Sequence, residues 1–356
     1  MSVSLRPHIA TLPAYRAGKP AQPGPDGRAW KLSSNENPFD PLPGVQEAIR
    51  RAVSVVNRYP DAGNTAITAA VAQRHGLPPE RIAFGTGSVD VMAHLLQALC
   101  GPGDEVVYPW RSFEAYPLAV QVSGARSVQV PLDDEGRHDL PAMLAAITPA
   151  TRVVMICTPN NPTGPSVGHE ELLDFVRRVP DDVVVAIDEA YVEYVTDPAA
   201  ARGLELLDAH PGVAVLRTFS KAYGLAGLRV GWMAVSAPAL ARAVGSVTMP
   251  FAISGPAQAA VLASLEAEPA LLERVRATVE ERTRVADALR GLGLGIPDTQ
   301  ANFVWLPLGE RTDAWFEGYR RAGLMTRAFS GEGLRVSVGE PEANDRFVSV
   351  TAELVG

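Results

Sequence analysis

The chain has 356 residues, of which 47% are hydrophobic and 20% charged, with a formal net charge of −8. That length predicts two domains, or one large domain with a smaller one attached, and the composition is that of a soluble globular protein. No basic run interleaved with aromatics argues for nucleic acid, no apolar run approaches the roughly 20 residues that cross a bilayer, and the six histidines lack metal-ligand spacing.

The opening residues, Met1-Ser2-Val3-Ser4-Leu5-Arg6-Pro7-His8, lack the apolar core of a signal peptide. Cys100 and Cys157 lie in apolar contexts and suit a reducing cytoplasm better than a disulfide framework. Residues 1–44, with Pro20, Pro23, Gly24, Pro25 and Gly27 clustered, read as an extended arm. Helical periodicity starts at Val45, Ala48, Ile49, Ala52 and Val53 and returns over 65–75. Strands and helices then alternate. A strand at 81–84 leads to a helix over 88–99, and further strands are expected at 105–108, 127–130, 153–157, 183–187, 213–216 and 230–235. Several are continuous apolar runs, which predicts a largely parallel sheet buried on both faces. One long helical region is expected over 257–292. Strands at 302–306 and 334–338 then flank a helix near 314–322 in a βαβ-like tail. The expected division is an arm (1–44), a large domain (45–255) and a small domain (256–356).

Chemistry concentrates where strands end, the usual place for ligands in an α/β sheet. The strand at 153–157 runs into Thr158-Pro159-Asn160-Asn161-Pro162-Thr163-Gly164, and the strand at 183–187 into Asp188-Glu189-Ala190-Tyr191. The strand at 213–216 runs into Arg217-Thr218-Phe219-Ser220-Lys221, with Arg229 eight residues further on. Singly these segments have plainer readings: a turn, a helix cap, a packed tyrosine, a solvated lysine. If the strands are neighbours, an amide, a carboxylate with a phenol, and an amine converge on one crevice. A pyridine aldehyde phosphate asks for that set. Lys221 would form a Schiff base with its aldehyde, Asp188 would keep its ring nitrogen protonated, and Asn161 and Tyr191 would donate to its phenolic oxygen. Gly85-Thr86-Gly87-Ser88, at a helix N-terminus, would cradle the phosphate with Arg229, Ser220 and Thr218.

These motifs resemble the fold-type I pyridoxal-phosphate aminotransferases, in the branch that includes histidinol-phosphate aminotransferases. The likeness covers almost the whole chain. It runs from Leu12-Pro13-Ala14-Tyr15 and Ser34-Asn35-Glu36-Asn37-Pro38-Phe39 through Arg58-Tyr59-Pro60-Asp61 to Gln300-Ala301-Asn302-Phe303-Val304 and Leu334-Arg335-Val336. It implies an α/β fold of mostly parallel sheet with helices on both faces, plus a smaller α+β C-terminal domain, and pyridoxal 5'-phosphate as cofactor. Lys221, Asp188 and Tyr191 match the catalytic residues. Asn161, Ser220, Thr218, Arg229 and the Gly87-Ser88-Val89 turn match the rest of the cofactor cradle, and Phe113 the aromatic that stacks on the ring. Tyr59 matches a tyrosine that reaches the neighbouring subunit's phosphate, so a homodimer with shared sites is implied. Arg335 matches the arginine that clamps the substrate carboxylate, with Tyr15, Asn35 and Arg327 as further substrate contacts. The plainer reading of Arg335 is a surface ion pair, and of Arg327 a partly solvated arginine at the domain edge.

Two departures bear on substrate. The phosphate turn reads Gly87-Ser88-Val89-Asp90 where many histidinol-phosphate enzymes carry Gly-x-Asp-Glu, and the stacking segment reads Trp110-Arg111-Ser112-Phe113-Glu114-Ala115-Tyr116-Pro117. With Gln300-Ala301-Asn302-Phe303-Val304-Trp305-Leu306-Pro307, this version is similar to the aromatic amino acid aminotransferases. The implied activity is transfer of the amino group of an aromatic L-amino acid to 2-oxoglutarate. Arg327 keeps histidinol phosphate as the alternative donor. Decarboxylation or β-elimination in the same cradle, and a cofactor-binding regulator, are the other classes, the last disfavoured by the short arm and the missing basic patch.

Overall fold

A computed structural model describes residues 6–12 and 20–356. Its centre is a seven-stranded sheet in the order Ile82–Gly85, Gly231–Val235, Val213–Thr218, Val184–Asp188, Thr151–Cys157, Glu105–Trp110, Arg126–Pro131. All neighbours are parallel except Gly231–Val235, which runs against both strands beside it.

Side chains on a strand alternate between faces, and here both faces are covered. Val154, Ile156, Val185, Ile187, Val213 and Val215 pack on one side, with Leu172 and Phe175 of the helix His169–Arg178. Val153, Met155, Cys157, Ala186, Ala214 and Leu216 pack on the other, with Val91, Leu95 and Leu96 of the helix Ser88–Leu99. Alternate residues of one strand thus enter two different cores, which is why these strands read as unbroken apolar runs.

The C-terminal part is a second layer. Phe303–Leu306, Gly333–Ser337 and Arg327–Phe329 form a three-stranded antiparallel sheet with Gly333–Ser337 in the middle. It packs on Val285 and Leu289 of the helix Glu268–Gly291, Trp315 and Tyr319 of Thr312–Arg321, and Phe347 and Val350 of Pro341–Val355. The expected βαβ-like tail is therefore corrected. The strand Arg327–Phe329 turns tightly into Gly333–Ser337 through Gly331, whose φ of +77° suits a residue without a side chain, and this hairpin reverses the chain. The helical region also divides. Gly255–Glu266 stops before Glu268–Gly291, with Ala267 at φ −94°, ψ 12° between them. Pro269 has no N–H and its ring would clash with the preceding turn, which disfavours one continuous helix through it.

The arm is more engaged than its Pro/Gly content predicts. Trp30–Lys31 pairs in parallel with Leu324–Met325, and Leu32, Ser33 and Asn35 are buried. It thereby carries Ser33, Ser34 and Asn35 into the seam between the two sheets.

Candidate active site

The strands Thr151–Cys157, Val184–Asp188 and Val213–Thr218 are consecutive neighbours, so the groups after their C-terminal ends converge as the sequence predicts. A cavity of about 290 Å³ is lined by Lys221, Asp188, Asn161, Tyr191, Ser220, Thr218, Arg335 and Arg327, together with Ser88, Val89, Phe113, Asn35 and Arg229. Most of the residues expected at the site therefore share one space. Gly87 sits behind it. Its φ is +97°, and a Cβ there would run into the Arg229 guanidinium. Tyr59 does not line this cavity: it is 83% exposed and stacks on Phe251 at 4.5 Å. Tyr15 lies outside the described residues.

Register explains the position of Asp188. It pairs with Cys157 across the sheet and points to the same face, toward the helix Ala115–Ser123. There the buried Tyr116 donates its hydroxyl to Asp188 Oδ2 at 2.9 Å, whereas Oδ1 is buried with no partner. Burial raises the carboxyl to about 6, and the Tyr116 bond pulls the other way. A buried acceptor with nothing to accept, aimed into a cavity, fits a protonated ring nitrogen.

Lys221 follows from the antiparallel return of the chain. Thr218 pairs with Gly231, and the intervening residues bulge outward, closed by Phe219 N–H to Val230 O at 3.1 Å and Gly224 N–H to Lys221 O at 3.0 Å. The excursion puts Lys221 in the cavity and brings Arg229 Nη1 to within 3.3 Å of Ser220 Oγ. Arg229 itself holds a left-handed φ of 58°. With the N-terminus of Ser88–Leu99 beside it, this corner supplies a cation, a hydroxyl and free N–H groups, a set that fits a phosphate.

Lys221 Nζ donates to Ser34 O at 3.0 Å, and burial, reinforced by the Arg335 charge, lowers its pKa to about 7. The neutral amine is the nucleophile, so its acylation should rise with pH through about 7 in cofactor-free protein. Competitive labelling read by mass spectrometry checks this. A midpoint at the ordinary 10.5 would contradict it.

Tyr191 Oη accepts from Asn35 Nδ2 at 2.9 Å and Asn161 Nδ2 at 3.2 Å, which leaves its own proton to donate elsewhere. Arg335 is buried and donates to Asn161 Oδ1 at 2.5 Å and Ser33 O at 2.6 Å, so it is no surface ion pair. Arg327 remains partly exposed, but it is held in an ion pair rather than left to solvent. Its Nε and Nη2 donate to both oxygens of Glu114, at 3.0 and 2.8 Å.

Sequence reasoning passed over four participants. Tyr116 and Glu114 lie in the quoted stacking segment, but Phe113 precedes the helix Ala115–Ser123, so no helical spacing marks them as partners of the site. Ser33 and Ser34 act through backbone carbonyls, which leave no mark in side-chain chemistry. The donor set as a whole fits pyridoxal phosphate: an amine, an unpartnered carboxylate oxygen, phenol and amide donors, and an anion cradle.

Comparison with known proteins agrees with this reading. The family model described as "Aminotransferase class I and II" matches residues 29–350. The chain is similar to a Streptomyces coelicolor protein named aromatic amino acid aminotransferase, 53% identical over 353 residues, 99% of this chain and 98% of that one. A Thermobifida fusca protein of the same name is 52% identical over 346 residues, 97% of this chain and 96% of that one. A crystal structure of histidinol-phosphate aminotransferase from Sinorhizobium meliloti, in complex with pyridoxal-5'-phosphate, superposes with a TM-score of 0.89 at 27% identity, covering 100% of this chain and 98% of that one.

Proposed function

The chain belongs to the class I and II aminotransferases, and on that footing we propose that it uses pyridoxal 5'-phosphate to move the amino group of an aromatic L-amino acid to 2-oxoglutarate, giving an aromatic 2-oxo acid and L-glutamate. What supports the chemistry most is the single cavity that holds Lys221, Asp188 and Arg335. The donor class is supported by the names of the relatives at about half identity over full length.

Bound in this cavity, the cofactor supplies an aldehyde to take the amino group and an electron-withdrawing ring to carry the charge left on Cα. The protein does the rest. Arg335 holds the substrate carboxylate, its planar fork matching two oxygens. Lys221 Nζ, its pKa lowered to about 7 so that much of it is unprotonated at neutral pH, takes the Cα proton and holds it for return. Asp188 holds the ring nitrogen, and Tyr116 fixes the carboxylate that does so. Tyr191, its oxygen already accepting from Asn35 and Asn161, donates into the cavity. Thr218, Ser220, Arg229 and the Gly87-Ser88-Val89 turn hold the phosphate, and Phe113 covers the ring. Asn35 and Arg327 line the substrate side.

We place Tyr59 at the partner's phosphate in a homodimer. In support, Tyr59 stacks on the exposed Phe251, and Val53, Val55, Val56 and Met249, near the two in sequence, are exposed as well, apolar surface of the kind a partner covers. The free cysteines fit a cytoplasmic setting, and among the described residues no helix is long and apolar enough to cross a membrane.

Histidinol phosphate stays as the second reading because Arg327 lines the cavity. Steady-state assays with phenylalanine, tyrosine, tryptophan and histidinol phosphate as donors decide between them. The aromatic donors are expected to give the higher kcat/KM, with phenylalanine and tyrosine, which differ by one hydroxyl, within about 100-fold of each other. A clear preference for the phosphate ester would defeat the proposal.

A further inference from the structure

Two arginines stand side by side in the cavity wall. Arg327 and Arg335 are directly opposed on antiparallel strands, so their side chains leave the sheet on one face. Arg327 is spoken for. Glu114, from the other side of the cleft, takes its Nε and Nη2 in a two-bond fork, with the side chains only 15% and 29% exposed. Glu114 immediately precedes the helix Ala115–Ser123, yet its carboxylate makes no cap bond to that helix. Nor is the pair needed merely to bridge the two sheets. Arg111 and Glu332 already form such a bridge, and neither lines this cavity.

We propose that Glu114 determines side-chain specificity: by occupying the Nε/Nη2 edge of Arg327 and neutralising its charge, it weakens that guanidinium's hold on a substrate anion and sets the site for uncharged side chains over anionic ones. An uncharged aromatic ring beside the neutralised pair meets no like charge. A side chain ending in phosphate or carboxylate meets the Glu114 charge at the same guanidinium unless Glu114 swings away, and the partial exposure of Glu114 gives it solvent to turn into. The acceptor 2-oxoglutarate enters under the same condition. This deepens the aromatic reading above and rests on it.

The test uses holoenzyme and two unreactive probes, glutarate and 3-phenylpropanoate, with dissociation constants from calorimetry. Both offer a carboxylate to Arg335, but only glutarate offers a second anion to Arg327. In Glu114→Gln the ratio of the glutarate constant to the phenylpropanoate constant is expected to fall at least about tenfold. In Glu332→Gln, which breaks the bridge outside the cavity, it should stay within about twofold of wild type. Adding Glu114→Gln to Arg327→Gln should move it by less than about twofold, because the coupling needs both partners. An unmoved ratio in Glu114→Gln, an equal shift in Glu332→Gln, or a shift that survives without Arg327 would overturn the proposal. The failures are separable. Wild-type preference for histidinol phosphate would sink the donor assignment, whereas an unmoved ratio sinks the role of Glu114 and leaves that assignment standing.

Discussion

Replacing Lys221 with alanine is expected to lower kcat with phenylalanine by about 10³-fold, within the roughly 10²- to 10⁴-fold that a positioned general base contributes. On the proposed function the side chain has two tasks, holding the cofactor's aldehyde and moving the Cα proton, and alanine can do neither. The fold should survive. Burial holds the amine near 7, so the structure disfavours its charged form at neutral pH. The sign follows from linkage: a lysine whose folded pKa lies below its unfolded 10.5 costs stability at low pH, and that cost is relieved as pH rises from about 7 toward 10.5. Removing it below that window should not lower the melting temperature of cofactor-free protein, apart from the lost bond to Ser34 O. Thermal melts and stopped-flow assays of the same preparation check both halves. The visible band from the lysine-bound cofactor should vanish, and added methylamine should return part of the proton transfer. A variant that keeps about a tenth of wild-type kcat would sink the assignment of Lys221.

How much of this was legible beforehand depends on where the information sits. The site residues that emerge from strand ends were readable because an unbroken apolar run followed by a polar cluster marks both the strand and its exit point. Adjacency of the three strands was only a condition, and the order of strands in the sheet met it. The direction of Gly231–Val235 was hidden, because an antiparallel strand buried on both faces has the same apolar run as a parallel one. That direction matters, since the short return from Thr218 to Gly231 is what sets Arg229 beside Ser220.

The arm was misleading for a related reason. Proline and glycine report that a segment is not helical, and say nothing about whether it is packed. Ser33-Ser34-Asn35 proves to be a buried strap that meets Arg335, Lys221 and Tyr191 through two carbonyls and an amide. The start of the helix Gly255–Glu266 shows the same limit. Ser254 caps it and Pro256 lies in its first turn, a clear helix start, yet Ala257, Ala260 and Val261 pack into the core of the large sheet. Punctuation marks where an element begins, whereas the core it joins is decided by the shape of its neighbours.

The second large effect is expected from Asp188→Asn, and its signature should be the reverse of the lysine variant's. Asparagine keeps the size and the flat shape, and its amide oxygen can still accept the Tyr116 hydroxyl in place of Oδ2. That choice forces the NH₂ into the position of Oδ1, the atom that is now buried and unpartnered. A donor then faces the ring nitrogen where an acceptor stood, and a donor favours the unprotonated ring. The phosphate corner and Lys221 are untouched, so cofactor and visible band should remain. Turnover should still fall about 10²- to 10³-fold, as expected when an electrostatic partner of the developing charge is lost. Titrating the bound cofactor's spectrum against pH, alongside kcat for phenylalanine, separates the two effects. Retained band with lost turnover is the expected pair. Turnover close to wild type would mean that the protonated ring nitrogen is not what Asp188 maintains, and the buried oxygen would need another partner.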